Sequence, residues 1–497
     1  MKTEKTKSGT LSRLPRLSRP VDLTRGTPWK VILLYAAPIM LSYLLQQIYV
    51  LTDAIICGQV LRAEEVAGVN DTFALTFIFL QFAFGCTAGF GVITANCVGC
   101  ADDKGVRRSF ATQIYLSLGI SAVLTVLSVG LLPQMLRLIN VTPDNKTVYG
   151  AAYIYCLIIF IGIAAQVGYN FICGILRALG DSFTPLLFLV ISTLLNVGLD
   201  ILFLVPLHMG PAGAAAATVL AQLLSFIGCM VYSLIKYEKL RPTEEDFRVP
   251  ASAVRAHLRQ GVPLGLQFSI LAIGIIVMQG AVVEFDLTAS GAMVAGTPAQ
   301  NGFGAASKLI NFLMAAFNGL GTAILGYNAQ NFGKGDRVRI RRGTLQAFVI
   351  MLVIFGVCLA AGASLSAGGA YQYIFMSADK VSEASIRFGN TYLLVDLALY
   401  CILGFLFVAR SAVQGVSRPG YVLGAGIAEL CARMLICAFL PEIVNGAPID
   451  ASASPLAFAA VCAGDPGAWL AASLVLTLPL FRFILRIPPH TSDARES

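Results

Sequence analysis

The sequence predicts an all-α membrane protein, with twelve transmembrane helices in two six-helix lobes related by an internal parallel repeat. Three observations predict it. Hydrophobic residues fill 57% of the 497 positions and charged residues only 12%, about half the charged share of soluble globular proteins, so no soluble core of this size could hide the apolar surface. Apolar runs of about 20 residues or more, the length that crosses a bilayer, recur twelve times. Short patterns of the first half return in the second at a nearly constant shift.

In chain order the runs fall at 31–58, 68–99, 110–135, 148–176, 183–207 and 210–236, then at 260–283, 298–330, 344–368, 385–410, 419–441 and 466–488. Several exceed the hydrocarbon thickness and are expected to tilt or project beyond it. Pro38 interrupts the first run and removes a backbone hydrogen bond, which predicts a bend there. Residues 1–30 form a basic tail without the apolar core and small-residue cleavage site of a signal peptide, so the chain is expected to stay unprocessed. The first lobe is then 31–236. A charged linker at 237–259, broken by Pro242 and Pro250, leads to the second lobe at 260–488 and a short tail at 489–497.

The repeat is carried by Gly89, Gly91, Lys104, Gly105 and Arg107, which return as Gly319, Gly321, Lys334, Gly335 and Arg337, each 230 positions later. Pro38 returns as Pro263, and Gly180 with Pro185 as Gly415 with Pro419. Six spans per copy give both copies the same orientation, as in the parallel repeats of some secondary transporters, where two bundles rock about a central cavity.

An even number of spans puts both termini on one side of the membrane. With the amino terminus inside, 28 Lys and Arg fall in inside segments and five outside, the bias of cytoplasmic loops. The expected location is the inner (plasma) membrane, with both termini cytoplasmic and 445–465 external. Topology thereby accounts for the net charge of +8, leaving no nucleic-acid partner to explain. Three histidines, with no Cys/His cluster at metal-ligand spacing, argue against a zinc or haem enzyme. The absence of GxxxxGK[ST] argues against a P-loop ATPase. No cofactor and no enzymatic activity are expected. Most of the twelve cysteines lie in apolar runs and read as small hydrophobes.

Ionisable residues at membrane depth are costly and carry most of the functional information. Asp53 shares a helical face with Gln46 and Tyr49, and Asn196 and Asp200 are one turn apart on another helix. Counting about 1.5 Å per residue places Asp53, Asp200 and Thr218 at similar depth in the outer half, where the four oxygen-bearing side chains Asp53, Asn196, Asp200 and Thr218 can converge. Hard oxygen ligands of this kind suit Na⁺. Two neighbouring acids in low dielectric equally suit a proton. In the second half Glu429 and Arg433, four apart with the acid first, are expected to neutralise each other as a structural pair. Asp396 follows Tyr392 by one turn and has no local base; Lys308 on another helix is its candidate partner. Gln46, Tyr49, Lys308, Tyr392 and Asp396 are the expected substrate-cavity residues.

Taken together, the Pro38-to-Asp53 helix, the two Gly-rich repeats ending at Arg107 and Arg337, Arg177-Ala-Leu-Gly-Asp181 and Asn196-Val-Gly-Leu-Asp200 resemble the multidrug and toxic compound extrusion (MATE) family over residues 30–488. The resemblance implies twelve helices in two lobes and Na⁺- or H⁺-driven efflux of small organic compounds, often cationic, from a chain expected to act as a monomer in the lipid bilayer. Its DinF-like branch implies an ion site of two Asp, one Asn and one Thr, which falls on Asp53, Asn196, Asp200 and Thr218. The NorM-like branch implies a seventh-helix Glu with a tenth-helix Asp and Tyr. Asp396 and Tyr392 match that second pair, but the seventh run has no acid, so coupling is expected in the first lobe. Both neutral ligands, Asn196 and Thr218, tip the expectation towards Na⁺. The alternative function is a lipid-linked oligosaccharide or polyprenyl flippase of the same superfamily, with Lys308 as a basic cavity residue.

Overall fold

Apolar composition becomes helix nearly throughout. The computed structural model describes residues 20–139, 141–376 and 381–486; most of the expected basic tail and all of the tail at 489–497 lie outside the described residues. The first half comprises α1 (Pro28–Val60), α2 (Ala63–Asp71), α3 (Phe73–Gly99), α4 (Asp103–Leu138), α5 (Lys146–Ile161), α6 (Ile163–Ala178), α7 (Phe183–Leu204) and α8 (Gly210–Lys236). In the second half are α9 (Ala251–Val283), α10 (Pro298–Lys334), α11 (Arg337–Ser366), α12 (Ala370–Phe375), α13 (Glu383–Ala398), α14 (Tyr400–Gly415), α15 (Pro419–Asn445), α16 (Pro455–Cys462) and α17 (Gly464–Leu480).

Among the described residues, ten segments are long and apolar enough to cross a membrane, and two more spans form if α5 with α6 and α13 with α14 are each taken as one bent helix. The bends, 45° and 52°, occupy the fourth and tenth places, six spans apart as the repeat requires. The first bend is closely packed at Gly162, where a Cβ would lie 2.3 Å from the Val219 side chain of α8. The repeated Lys-Gly-x-Arg pattern marks the turns from α3 to α4 and from α10 to α11. In these turns Asp102 and Asp336 cap the next helix by accepting from the Gly105 and Arg339 backbone N–H groups. Asp181 acts similarly at α7, accepting from the Thr184 N–H, and it also binds Lys236 Nζ at 2.9 Å to tie down the end of α8.

Several boundaries differ from the sequence reading, and two of them move polar residues of interest. The α9 helix begins at Ala251, because the polar turns before the apolar run continue as helix, with buried His257 Nε2 2.8 Å from Ser109 Oγ of α4. The linker therefore shortens to 237–250. The last span begins at Pro455, capped by Ser454, so the expected external segment 445–465 shrinks to 446–454 and Asp465 moves to the head of α17.

The first-half helices pack around α3, α6, α7 and α8, and the second-half helices around α10, α14, α15 and α17. The halves meet where α3 lies against α9 and α1 against α10. Added Cβ atoms show how tight this seam is. One on Gly89 would lie 2.6 Å from the Gln260 carbonyl, one on Gly85 2.6 Å from that of Leu264, and one on Gly319 2.4 Å from Met40 Cγ. At the face that carries residue 20 and the linker, hereafter the tail face, α3 and α10 touch backbone to backbone. There a Cβ on Gly99 would lie 1.8 Å from the Gln330 carbonyl. Gln330 Nε2 donates to the Ala178 carbonyl at 2.8 Å, and Val92, Ala95, Ala178 and Ala329 form a small buried plug between the halves.

Candidate functional site

Three first-half helices position the first cluster. Along α7, Ser192, Asn196 and Asp200 recur every four residues, which gives one polar stripe in an otherwise apolar helix, and all three are buried. Ser192 Oγ reaches the Ala221 carbonyl of α8 at 3.4 Å, and one turn further along Asn196 Nδ2 approaches Thr218 Oγ1 at 3.5 Å. From α1, the Asp53 carboxyl meets that of Asp200 directly. Tyr49, one turn before Asp53, adjoins both acids and Thr218, and Tyr155 of α5 lies near Asp53 and Tyr49. Gln46 is half-buried on the same face of α1. Asp53, Asn196, Asp200, Thr218 and Tyr49 thus come together in the structure.

The chemistry of the cluster follows from what it lacks. Asp53 Oδ1, Asn196 Oδ1 and both carboxylate oxygens of Asp200 are buried without a hydrogen-bond donor. All four atoms are acceptors. Buried oxygens in this state are costly unless a cation or proton satisfies them, and two facing carboxylates cannot supply one another unless one holds a proton. The set offers hard oxygen donors only.

The second half holds a different arrangement. Asp396 is fully buried with both oxygens lacking a donor. Tyr392, one turn earlier, donates instead to Asp465 Oδ2 at 2.9 Å, and Arg433 Nη2 lies 2.6 Å from Asp465 Oδ1. Arg410 Nη2 lies 2.5 Å from Glu429 Oε2, while Glu429 Oε1 and Arg433 are 3.8 Å apart. The Glu429–Arg433 pair expected from sequence forms, but as the looser link between two tight pairs, Arg410–Glu429 and Asp465–Arg433, rather than as a self-contained unit. Nor is Lys308 the partner of Asp396, since it is exposed and its Nζ is 3.5 Å from the Phe375 carbonyl. Sequence reasoning missed Arg410 and Asp465. Arg410 ends the tenth apolar run and Asp465 ends the expected external segment, so neither stands out as a member of a buried ion pair.

Comparisons with known proteins agree with this architecture. A family model described as MatE matches residues 38–202. The probable multidrug resistance protein YpnP of Bacillus subtilis is 31% identical over 444 residues, spanning 83% of this chain and 96% of that protein. DNA damage-inducible protein F of Escherichia coli is 23% identical over 407 residues, spanning 79% and 83%. Among solved structures, one described as the outward-facing conformation of a multidrug resistance MATE family transporter of the MOP superfamily matches with a TM-score of 0.80 at 20% identity, over 94% of this chain and 98% of that one. Fold and relatives define a multi-pass helical membrane transporter, a class without enzymatic chemistry. The chain belongs to the MATE family of multidrug efflux transporters.

Proposed function

We propose that this chain is a secondary active antiporter of the plasma membrane, exporting organic, mainly cationic, compounds in exchange for Na⁺ or a proton. One observation carries the reading: the four donorless acceptor oxygens gathered around Asp53 and Asp200. A negative, partly aromatic site suits an organic cation, and Tyr49 adds a cation-π face worth about 0.5–2 kcal/mol. A coupling ion that neutralises the same carboxylates removes the attraction, so ion and drug compete for one site and each turnover exchanges them. Asn196 and Thr218 favour Na⁺ as the ion. A proton needs only one acid, whereas a hard cation draws on roughly five or six oxygens. The multidrug names of several relatives support the substrate class, and nothing in the comparisons favours the flippase alternative.

In this reading the tail face is cytoplasmic, as the basic residues of the inside segments favour. Both lobes belong to one chain, so a monomer is taken as the working unit, without nucleic acid. Coupling resides in the first lobe, with Gln46, Tyr49, Lys308, Tyr392 and Asp396 facing the substrate at some stage of the cycle. The test is exchange by purified protein in liposomes loaded with a fluorescent organic cation. An imposed Na⁺ gradient at fixed pH should drive export. Export that ignores Na⁺ but follows a pH gradient reassigns the ion, and no export under either gradient refutes the antiporter.

A further inference from the structure

Just before α1, residues 21–26 lie across the tail-face seam and touch both halves. On the first-half side the Val21 N–H donates to the Gly180 carbonyl at 2.9 Å. Gly180 is required there twice over, with φ +85° and a Cβ position only 2.2 Å from the Val21 carbonyl. On the second-half side, Arg339 of α11 directs its whole guanidinium at strap carbonyls. Nη1 reaches Gly26 at 2.6 Å, Nη2 reaches Arg25 at 2.6 Å and Leu23 at 3.2 Å, and Nε reaches Leu23 at 3.3 Å. Asn331 Nδ2 adds a bond to Leu23 at 3.1 Å, and Lys334 Nζ one to Thr24 at 3.2 Å. Leu23 is fully buried in the core built mainly of second-half residues. The strap is also preformed, because Asp22 Oδ1 accepts from both the Thr24 N–H and its hydroxyl.

Arg339 forms no ion pair among the described residues. Its guanidinium lies over the Tyr327 ring, 5.4 Å from the centroid. An arginine whose donors all serve main-chain carbonyls of another segment is a clamp on that segment. The clamp is reversible, because water can take over both the guanidinium and the carbonyls once they part. We propose that residues 21–26 and Arg339 form a latch that holds the tail face shut and sets the balance between the two access states of the transporter. The proposal rests on the alternating-access reading above. Opening the tail face separates Gly180 from Arg339, Asn331 and Lys334, and the strap bridges that line. Arg339 is a positioning residue here and touches no substrate.

The test reads gate opening directly. In protein stripped of its native cysteines, Ala95→Cys places one thiol in the buried plug, and its reaction with a maleimide is followed in purified protein in nanodiscs, where both faces are accessible. Adding Arg339→Ala should raise the labelling rate about fivefold or more, and Arg339→Lys, which keeps the charge and loses the fork, should fall between. A rate for Arg339→Ala within about twofold of the parent overturns the latch. A second variant guards against misfolding: Thr24→Cys with Lys334→Cys, bridged by a short bis-methanethiosulfonate cross-linker, should lose export on bridging and regain it on reduction. Full export while the bridge is intact also overturns the proposal. Faster labelling by Arg339→Ala in a protein that exports no organic cation leaves the latch standing and sinks the transport reading instead.

Discussion

Asn196 Nδ2 points at Thr218 Oγ1 across 3.5 Å, which leaves the Asn196 amide oxygen buried without a donor beside the donorless oxygens of Asp200. In the Na⁺ reading proposed above, that oxygen is a ligand of the ion. Thr218→Ala removes one neutral oxygen and keeps both acids. The Na⁺ concentration for half-maximal exchange should rise about tenfold, the equivalent of roughly 1.4 kcal/mol, with any proton-driven component little changed. Equal loss of both components would assign Thr218 a structural role.

The Arg433–Asp465 pair predicts a stability effect in the second half. Removing one partner leaves an uncompensated buried charge, which costs about 3–5 kcal/mol. Arg433→Ala and Asp465→Leu should therefore each lower the unfolding temperature of the detergent-purified protein markedly. The double replacement Arg433→Met with Asp465→Leu should recover most of the loss. A double variant as unstable as the sum of the singles would show that the pair is not the unit.

For Asp396 the expected outcome is a change of range. Neither Lys308 nor Arg433 forms an ion pair with it, and no acid of α9 completes a site around it. Asp396→Asn should alter which compounds are exported while ion-driven exchange persists. Complete uncoupling would place the coupling site in the wrong half.

Tail-face closure has its own test at Gly99. With a Cβ there 1.8 Å from the Gln330 carbonyl, Gly99→Ala forces α3 and α10 apart. Export should fall at least about tenfold, a bias of roughly 1.4 kcal/mol against the closed state. Gly119→Ala, where nothing lies within 4 Å of the added carbon, should leave export unchanged. Export by Gly99→Ala equal to that of Gly119→Ala would show that the seam is not tight in the working protein.

The spans were legible because bilayer thickness demands long apolar runs, and the repeat because turns such as Lys334-Gly335-x-Arg337 need particular residues. Asp53, Asn196 and Asp200 were legible as single polar residues at helical spacing in apolar surroundings. Asp465 and Arg410 were not: each sits near the end of an apolar stretch, where a charge reads equally well as the start of a loop. The polar start of α9 at 251–259 was hidden for the same reason. Least legible was the strap, since the carbonyls that Arg339 binds belong to the main chain and leave no trace in residue type.

Asp53 and Asp200 carry the central claim, that a shared acidic site in the first lobe exchanges an organic cation for the coupling ion. The most direct measurement is efflux of a fluorescent organic cation from cells expressing Asp53→Asn or Asp200→Asn at wild-type levels. Each substitution keeps the side-chain volume and removes the charge, so each should reduce efflux to that of cells without the transporter. Efflux at the wild-type rate by both variants would contradict the account.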